Sequence, residues 1–600
     1  MKKRISALFH YYFILPIIEQ FPLFIFSFLL TTIDTAKLLH TCILDPLASN
    51  NCHNWLTVCR FFSISAICSF ILSFIVYVSK KRWVKIMMYT IPLSLFTVNQ
   101  FLKNNFGHAL DPAYVIIMGE TNNKEATEFL HYFLFSKINI KFIVFLSFLV
   151  LLIIFVERFR TQIFLFIKKS RLQYIIGTIF LSFLLYGIYS LVYLSALFQC
   201  RSLKDLDIWS AQYNEFYYDY YTRMLYSLYA PIPASYEINK NIEITTAACQ
   251  KIRYKNNNDS LNLIFVIGES YIKSHASIYG YRLNTTPNLK HEVENGNLFV
   301  FTNVITPYNT TSMSVKNIMS CNNFSGGGEQ WQNFPYFPAI FKSCGYNVYY
   351  WDNQNKVGQH SDFTLNSFLS NDVIRSLSYT SWNDSIYQYD GALIDDFFNK
   401  NRTTSDNNLI ILHLWGQHLD AKERYPHCNE FNHFTSDSIN WRKEKWITPI
   451  IKQEIAEYDN AVLYNDYVMK KIINHYRNTN AVVVYLSDHG EEIYDYRNSK
   501  GRKNVPMSRM LLKYQYEIPF VIWCSDTYKK KHPKLISLFQ SALNTPIASD
   551  NVCNLLFRIA SLKTPYYRKK YDILSSNYIC YKRIVADKID YDKIMKKNNF

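Results

Sequence analysis

Five apolar stretches, each near the ~20 residues that a helix needs to cross a bilayer core, crowd the first third of this 600-residue chain. They run from Tyr11 to Ile33, Phe61 to Val78, Ile86 to Leu102, Ile140 to Val156 and Leu172 to Phe198. Within lipid every backbone polar group must be bonded internally, so this pattern predicts a bundle of membrane-spanning helices. The first stretch holds Pro16, Glu19 and Pro22, which are costly facing lipid and are expected to turn toward neighbouring helices. Four further spans follow it and no small-residue cleavage site does, so it reads as an anchor rather than a removed signal peptide.

Orientation follows from the short loops, because Lys and Arg are retained on the cytoplasmic side. Lys2, Lys3 and Arg4 precede the first span, Lys80, Lys81 and Arg82 separate the second from the third, and Arg158, Arg160, Lys168, Lys169 and Arg171 separate the fourth from the fifth. With five spans these clusters fall on one side. The N-terminus is then inside, and everything after Phe198 is outside. From Ser202 to Tyr236 the chain is polar but rich in aromatics, Trp209, Tyr217, Tyr220 and Tyr226 among them, which favour the headgroup layer. Residues 201–260 are therefore read as an interfacial connector, ending at Pro231 and Pro233, followed by a linker.

The net charge of +17 raises nucleic acid as a partner. The basic residues are scattered, however, and no RNA-binding or zinc-finger signature accompanies them, so membrane lipid is the expected partner and nucleic acid is not. Twelve Cys occur without a C-x-x-C pair, which leaves no zinc ribbon or thioredoxin-like site to be read. Seven of them follow residue 201, so full pairing leaves one over; Cys321 with Cys344 is one candidate bridge.

After Asn262 the pattern changes to short β-branched and aromatic runs between helical stretches, as in the parallel sheets of α/β domains. Strand candidates are Leu263 to Ile267, Asn347 to Trp351, Leu409 to Leu414, Ala481 to Leu486 and Pro519 to Trp523. In such sheets the carboxyl ends of strands hold the site. The first strand ends in Gly268-Glu269-Ser270, and a late one in Ser487-Asp488-His489-Gly490-Glu491. Two carboxylates and an imidazole are suitable ligands for Zn2+. Between them lies Thr306-Pro307-Tyr308-Asn309-Thr310-Thr311-Ser312, running into a predicted helix. Hydroxyls at a helix start serve as N-caps; here they are also placed for a metal-activated Thr nucleophile beside a phosphate-binding helix N-terminus.

The order of a GES strand end, a hydroxyl-rich helix start and a late SDHGE resembles the alkaline phosphatase and sulfatase superfamily. Together with Tyr279-Gly280-Tyr281, Thr286-Pro287-Asn288-Leu289 and the five N-terminal spans, it resembles the membrane-bound phosphoethanolamine transferases, the group that includes lipid A modifying enzymes and those of polymyxin (colistin) resistance. The resemblance implies a five-helix transmembrane domain over 1–200, the connector and linker over 201–260, and a periplasmic alkaline-phosphatase-like α/β/α sandwich with a mainly parallel sheet over 261–600. It implies Glu269, Thr311, Asp488 and His489 as zinc ligands, Thr311 as nucleophile and His418 as a substrate-side catalytic histidine. Thr121 and Glu125 match membrane-domain residues that hold the ethanolamine headgroup.

Some positions depart from the family. Ile117 stands where an Asn is common, and Pro307 and Asn317 replace the Cys pair flanking the nucleophile. Glu491 to Arg497 follows in place of a second His-Gly, as in the branch that modifies the lipopolysaccharide core. The implied reaction transfers phosphoethanolamine from phosphatidylethanolamine to lipopolysaccharide core or lipid A at the bacterial inner membrane. A phosphoglycerol transferase of the lipoteichoic-acid or glucan type, and a membrane-anchored binding protein without catalysis, are the alternatives. A sulfatase needs a C/S-x-P-x-R frame that is absent around Thr311.

Overall fold

The computed structural model describes residues 8–44, 51–106, 109–112, 114–115, 137–212, 219–253, 260–323, 330–354, 363–401, 406–418, 421–502 and 507–596. The chain divides into two compact units, Met1–Tyr236 with Val357–Phe363, and Glu237–Lys356 with Thr364–Phe600.

The first unit is helical, with α1 (Phe21–Leu44), α2 (Asn51–Ser79), α3 (Arg82–Phe106), α4 (Lys137–Arg158), α5 (Arg160–Lys169), α6 (Leu172–Ser195), α7 (Leu203–Gln212) and α8 (Tyr220–Tyr229). Among the described residues three helices are long and apolar enough to cross a membrane: Val58–Ser79, Ile140–Arg158 and Leu172–Gln199. The expected first span is not one straight helix. His10–Glu19 and Phe21–Thr35 meet at 78°, and the pair makes a fourth crossing if counted as one. Gln20 leaves the helical region with φ −109° and ψ 33°, and Pro22, without an N–H, cannot bond back to the preceding turn. Arg160 steadies the bend, donating through Nε to the Glu19 carbonyl at 2.9 Å and pairing with its carboxylate at 3.2 Å.

The expected third span is also helical, as α3, but is not among the helices apolar enough to cross. Its polar end serves a buried network. Asp34 of α1 accepts from Gln100 Nε2 at 2.9 Å and Lys103 Nζ at 2.9 Å, while its other oxygen lies 3.3 Å from Arg223 of α8. Arg223 also donates to Asn99 at 3.1 Å. Asp219 caps α8, accepting from the Tyr221 and Thr222 amides and from Ser65 of α2 at 2.7 Å.

Residues 237–250, expected as linker, belong instead to a 20-residue helix, α9 (Pro231–Gln250). α8 ends at Tyr229, just before Pro231, and Pro231 and Pro233 then sit in the first turn of α9, where the missing N–H would have had no helical partner, so the same prolines also start a helix.

The second unit is built on a seven-stranded sheet of β1 (Asn262–Gly268), β2 (Leu298–Phe301), β3 (Asn347–Asp352), β4 (Ser381–Trp382), β5 (Asn408–His413), β6 (Ala481–Ser487) and β7 (Phe520–Cys524). The order is β2-β7-β6-β1-β5-β3-β4. β1 pairs in parallel with β5 and β6, and β3 with β4 and β5; β7 is antiparallel to both its neighbours. All five expected strands form. β1 is buried along its whole length because both faces are covered, which is why it reads as one apolar run rather than an alternation. Ile264 and Val266 pack in the core that includes Ile455, Val462 and Ile472 of α10 (Pro449–Tyr476), while Phe265 meets Phe337 on the opposite side at 6.0 Å. Cys321 and Cys344 both remain free thiols, so the candidate bridge between them is not formed.

Candidate metal centre

The central strands end in register. Ile267 of β1 lies beside His413 of β5 and Leu486 of β6, and Gly268 beside Ser487. The ladder continues past the strands, with the Asp488 amide donating to the Gly268 carbonyl at 3.0 Å and the Gln417 amide to the Glu269 carbonyl at 3.0 Å. Glu269, Asp488 and His489 are thereby brought together, wholly buried, with one ligand atom from each within 4.8 Å of the others. Gly416 makes the close approach possible. It has a φ of +53°, and a Cβ there would come within 2.7 Å of the Glu269 carbonyl oxygen.

His489 Nδ1 lies 2.9 Å from the Gly490 carbonyl. A carbonyl only accepts, so Nδ1 carries the proton and Nε2 presents a lone pair. That lone pair faces Asp488 Oδ2 at 3.1 Å and Glu269 Oε1 at 3.4 Å. Asp488 Oδ1 is fixed by the Ser270 and His489 amides at 3.0 and 2.7 Å, whereas the buried Oδ2 has no hydrogen-bond partner among the described residues. Two buried carboxylates and an imidazole nitrogen converge here, with Asp488 Oδ2 unpartnered among the described residues, and their O,O,N chemistry suits a divalent ion such as zinc. Burial pushes the Asp488 carboxyl well above the usual carboxylate range, and the Glu269 charge adds to this. Burial, with the charge of Arg502, holds His489 down to about 3, leaving its imidazole neutral.

Thr311 opens α11 (Thr311–Met319), with Thr310 at the N-cap in an extended conformation. The Thr311 hydroxyl lies 3.0 Å from Glu269 Oε2 and 3.2 Å from His489 Nε2. The structure therefore brings together Glu269, Thr311, Asp488 and His489. His418 is half-buried beyond the turn that follows β5. Its charge acts on both Glu269 and His489, but its ring makes no hydrogen bond to the described residues. Arg424 holds this turn, stacking over Trp415 at 3.9 Å and donating to the His418 carbonyl at 3.1 Å. Thr121, Glu125 and Ile117 lie outside the described residues.

Two site residues carried no local signal in the sequence. Asp390, buried at the start of a helix, accepts from the Trp415 and Gly416 amides at 2.9 Å each and from Asn353 at 2.9 Å, fixing the turn that packs on Glu269. Arg502 follows a short hairpin in which Glu492 pairs with Gly501 and Ile493 with Lys500. The hairpin returns the chain to the site, where Arg502 contacts His489 Nε2 and donates to the Asn309 carbonyl at 3.0 Å. Nothing in the spacing of Arg502 from His489 announces that return.

A layered α/β unit whose strand ends gather two carboxylates, an imidazole and a helix-start hydroxyl defines the class. Residues 261–550 match the Sulfatase family model. Phosphoethanolamine transferase EptC of Escherichia coli O18:K1:H7 (strain RS218 / NMEC) is 30% identical over 288 residues, 46% of this chain and 47% of that protein. Phosphoethanolamine transferase EptA of Helicobacter pylori is 28% identical over 328 residues, 52% of this chain and 56% of that protein. The chain spans about half the length of the curated relatives it matches. Among solved structures, the C-terminal periplasmic domain of EcEptC from Escherichia coli is similar, with 25% identity over 57% of this chain and 96% of that one and a TM-score of 0.50.

Proposed function

We propose that this chain is a membrane-anchored phosphoethanolamine transferase, taking the group from phosphatidylethanolamine and passing it to an envelope glycolipid, lipopolysaccharide core or lipid A. The observation that carries the reading is the Thr311 hydroxyl set between Glu269 and His489 at the strand ends. Similarity to proteins named as phosphoethanolamine transferases supports the group transferred.

Glu269, Asp488 and His489 would hold Zn2+, with the Thr311 oxygen beside them; the ion, when bound, makes the hydroxyl easier to deprotonate and offsets phosphoryl charge. Thr311 Oγ1 attacks the donor phosphorus as its proton passes toward Glu269 Oε2. The bond from phosphorus to the glycerol oxygen breaks, and His418 protonates that oxygen as diacylglycerol leaves. Phosphoethanolamine is then esterified to Thr311. An acceptor hydroxyl or phosphate then attacks the same phosphorus, a hydroxyl passing its proton to His418, while the bond from phosphorus to Thr311 Oγ1 breaks and that oxygen takes its proton back from Glu269. Thr121 and Glu125 are assigned to the ammonium end of the donor.

A lipid donor explains a catalytic unit attached to apolar helices. Five spans with the N-terminus inside would place the catalytic unit in the periplasm, at the outer face of the bacterial inner membrane. A membrane-impermeant thiol reagent on intact cells, with native Cys replaced, should label a probe at exposed Asn432 and spare one at Ser79; the reverse pattern would overturn the orientation. The function is tested by mass spectrometry of envelope glycolipids from cells with and without the chain. A glycolipid gaining phosphoethanolamine only when it is present is expected, and unchanged glycolipids would refute the reading.

A further inference from the structure

We propose that Arg502 is the residue that grips the phosphoryl oxygens of the transferred group, and that it reaches them by giving up His489. The inference rests on the transferase reading above and adds to it the group that recognises phosphate.

The geometry makes two demands on His489 Nε2. With Nδ1 committed to the Gly490 carbonyl, Nε2 has one lone pair, and the Arg502 guanidinium is bonded to it. That lone pair is also the one His489 would offer a cation between Glu269 and Asp488. It cannot serve both, so a loaded site requires Arg502 to let go. A second attachment decides where the guanidinium then remains. The same NH1 nitrogen donates to the Asn309 carbonyl, two residues before Thr311. That carbonyl is firmly placed. The Asn309 side chain donates to Gln515 at 2.7 Å, Gln515 donates to Glu492 at 2.7 Å, and the Gly490 amide donates to the Gln515 carbonyl at 3.0 Å. Arg502 released from His489 thus stays tethered beside the nucleophile, where a phosphorus under attack by Thr311 must lie.

Chemistry favours arginine for this place. Its planar fork of N–H donors matches two phosphoryl oxygens at once, and it keeps its charge at any pH the protein meets. A phosphodiester donor brings one negative charge, and the displacement at phosphorus loads more onto the same oxygens. Charge-assisted hydrogen bonds to them strengthen as the reaction proceeds. The short hairpin formed by residues 492–493 and 500–501 supplies the positioning, since it fixes how far Arg502 projects past Glu491.

The test uses the full-length protein in detergent, with zinc and inorganic phosphate as probes, and the variants Arg502→Met and Arg502→Lys. Zinc affinity is measured by chelator competition, and phosphate affinity by calorimetry on the zinc-loaded protein. Arg502→Met is expected to bind zinc as tightly as the parent or severalfold more tightly, because the competitor for Nε2 and its repelling charge are gone. Its phosphate affinity is expected to fall about tenfold to a hundredfold, the worth of a charge-assisted hydrogen bond. Arg502→Lys should recover part of this, as a point charge without the fork. Unchanged phosphate affinity in Arg502→Met would overturn the proposal. Joint loss of zinc and phosphate would also overturn it, making Arg502 a support of the ligand cluster. Failure of the metal reading itself would show separately, as a parent protein that binds no zinc.

Discussion

Thr311 Oγ1 lies 3.0 Å from Glu269 Oε2, although 42 positions separate the two residues in the chain. One belongs to the first turn of a helix and the other to the end of a central strand. The fold thus sets a hydroxyl against a buried proton acceptor. Replacing Thr311 by Ala should abolish transfer while leaving zinc bound, and Thr311→Ser should keep part of the activity because only a methyl is lost. Incubation with phosphatidylethanolamine without acceptor should leave phosphoethanolamine on a peptide spanning residues 303–316. Label on Thr310 instead would move the nucleophile by one residue.

Metal binding should be visible as stability. An ion that binds only the folded state at about 100 times its Kd adds about 2.7 kcal/mol, so zinc should raise the Tm of the parent protein and a chelator should reverse it. Glu269→Ala, Asp488→Ala and His489→Ala should each lose that response. A variant that melts higher with zinc as the parent does would remove its residue from the ligand set.

His275 offers a pH signature away from the chemistry. It is buried with Nδ1 2.7 Å from Asp459 and Nε2 2.9 Å from Asp495. Burial disfavours its charge, but the two carboxylates outweigh burial and hold the imidazolium up to about 10. A histidine raised above its ordinary value of about 6.5 contributes stability that is complete below that pH and fades as pH rises toward about 10. Melts of the parent should therefore fall across this window. Those of His275→Gln should start lower and slope less, and parallel curves would disprove the charged state.

Asp390 is predicted to act through position. Asp390→Ala leaves the Trp415 and Gly416 amides and the Asn353 side chain without their acceptor, at about 1–3 kcal/mol for each buried group left unpaired. The turn carrying His418 should loosen, lowering kcat about tenfold or more with a smaller change in zinc affinity. Asp390→Asn should fall between, having kept one oxygen. Equal kcat in all three proteins would show that the turn needs no such anchor.

The strands and the Glu269, Asp488 and His489 cluster were legible because both signals are local. A strand covered on both faces is a continuous apolar run, and the residues just past it are those the sheet gathers. Thr311 was legible as part of a helix start. Asp390 and Arg502 were not, since each reaches the site through a backbone path whose length says nothing of its destination. The reading of 237–250 as linker took two prolines only as a stop; α8 does end before them, but their place in the first turn of α9 makes them a start as well. The bend in the first span was not legible for a related reason: Pro22 removes one donor, and hydropathy does not register a missing N–H.

The pairing of Asp34 with Arg223 spans 189 positions, and that distance is also a delay. At roughly 5–20 residues per second, a ribosome delivers Arg223 roughly 10–40 s after Asp34. For that interval the carboxylate has no guanidinium, and the half-made bundle is closed only when its final helix arrives. An Arg223→Ala chain should accordingly be cleared by membrane quality control during synthesis, so that cells hold fewer copies while each copy that survives works at close to the usual rate.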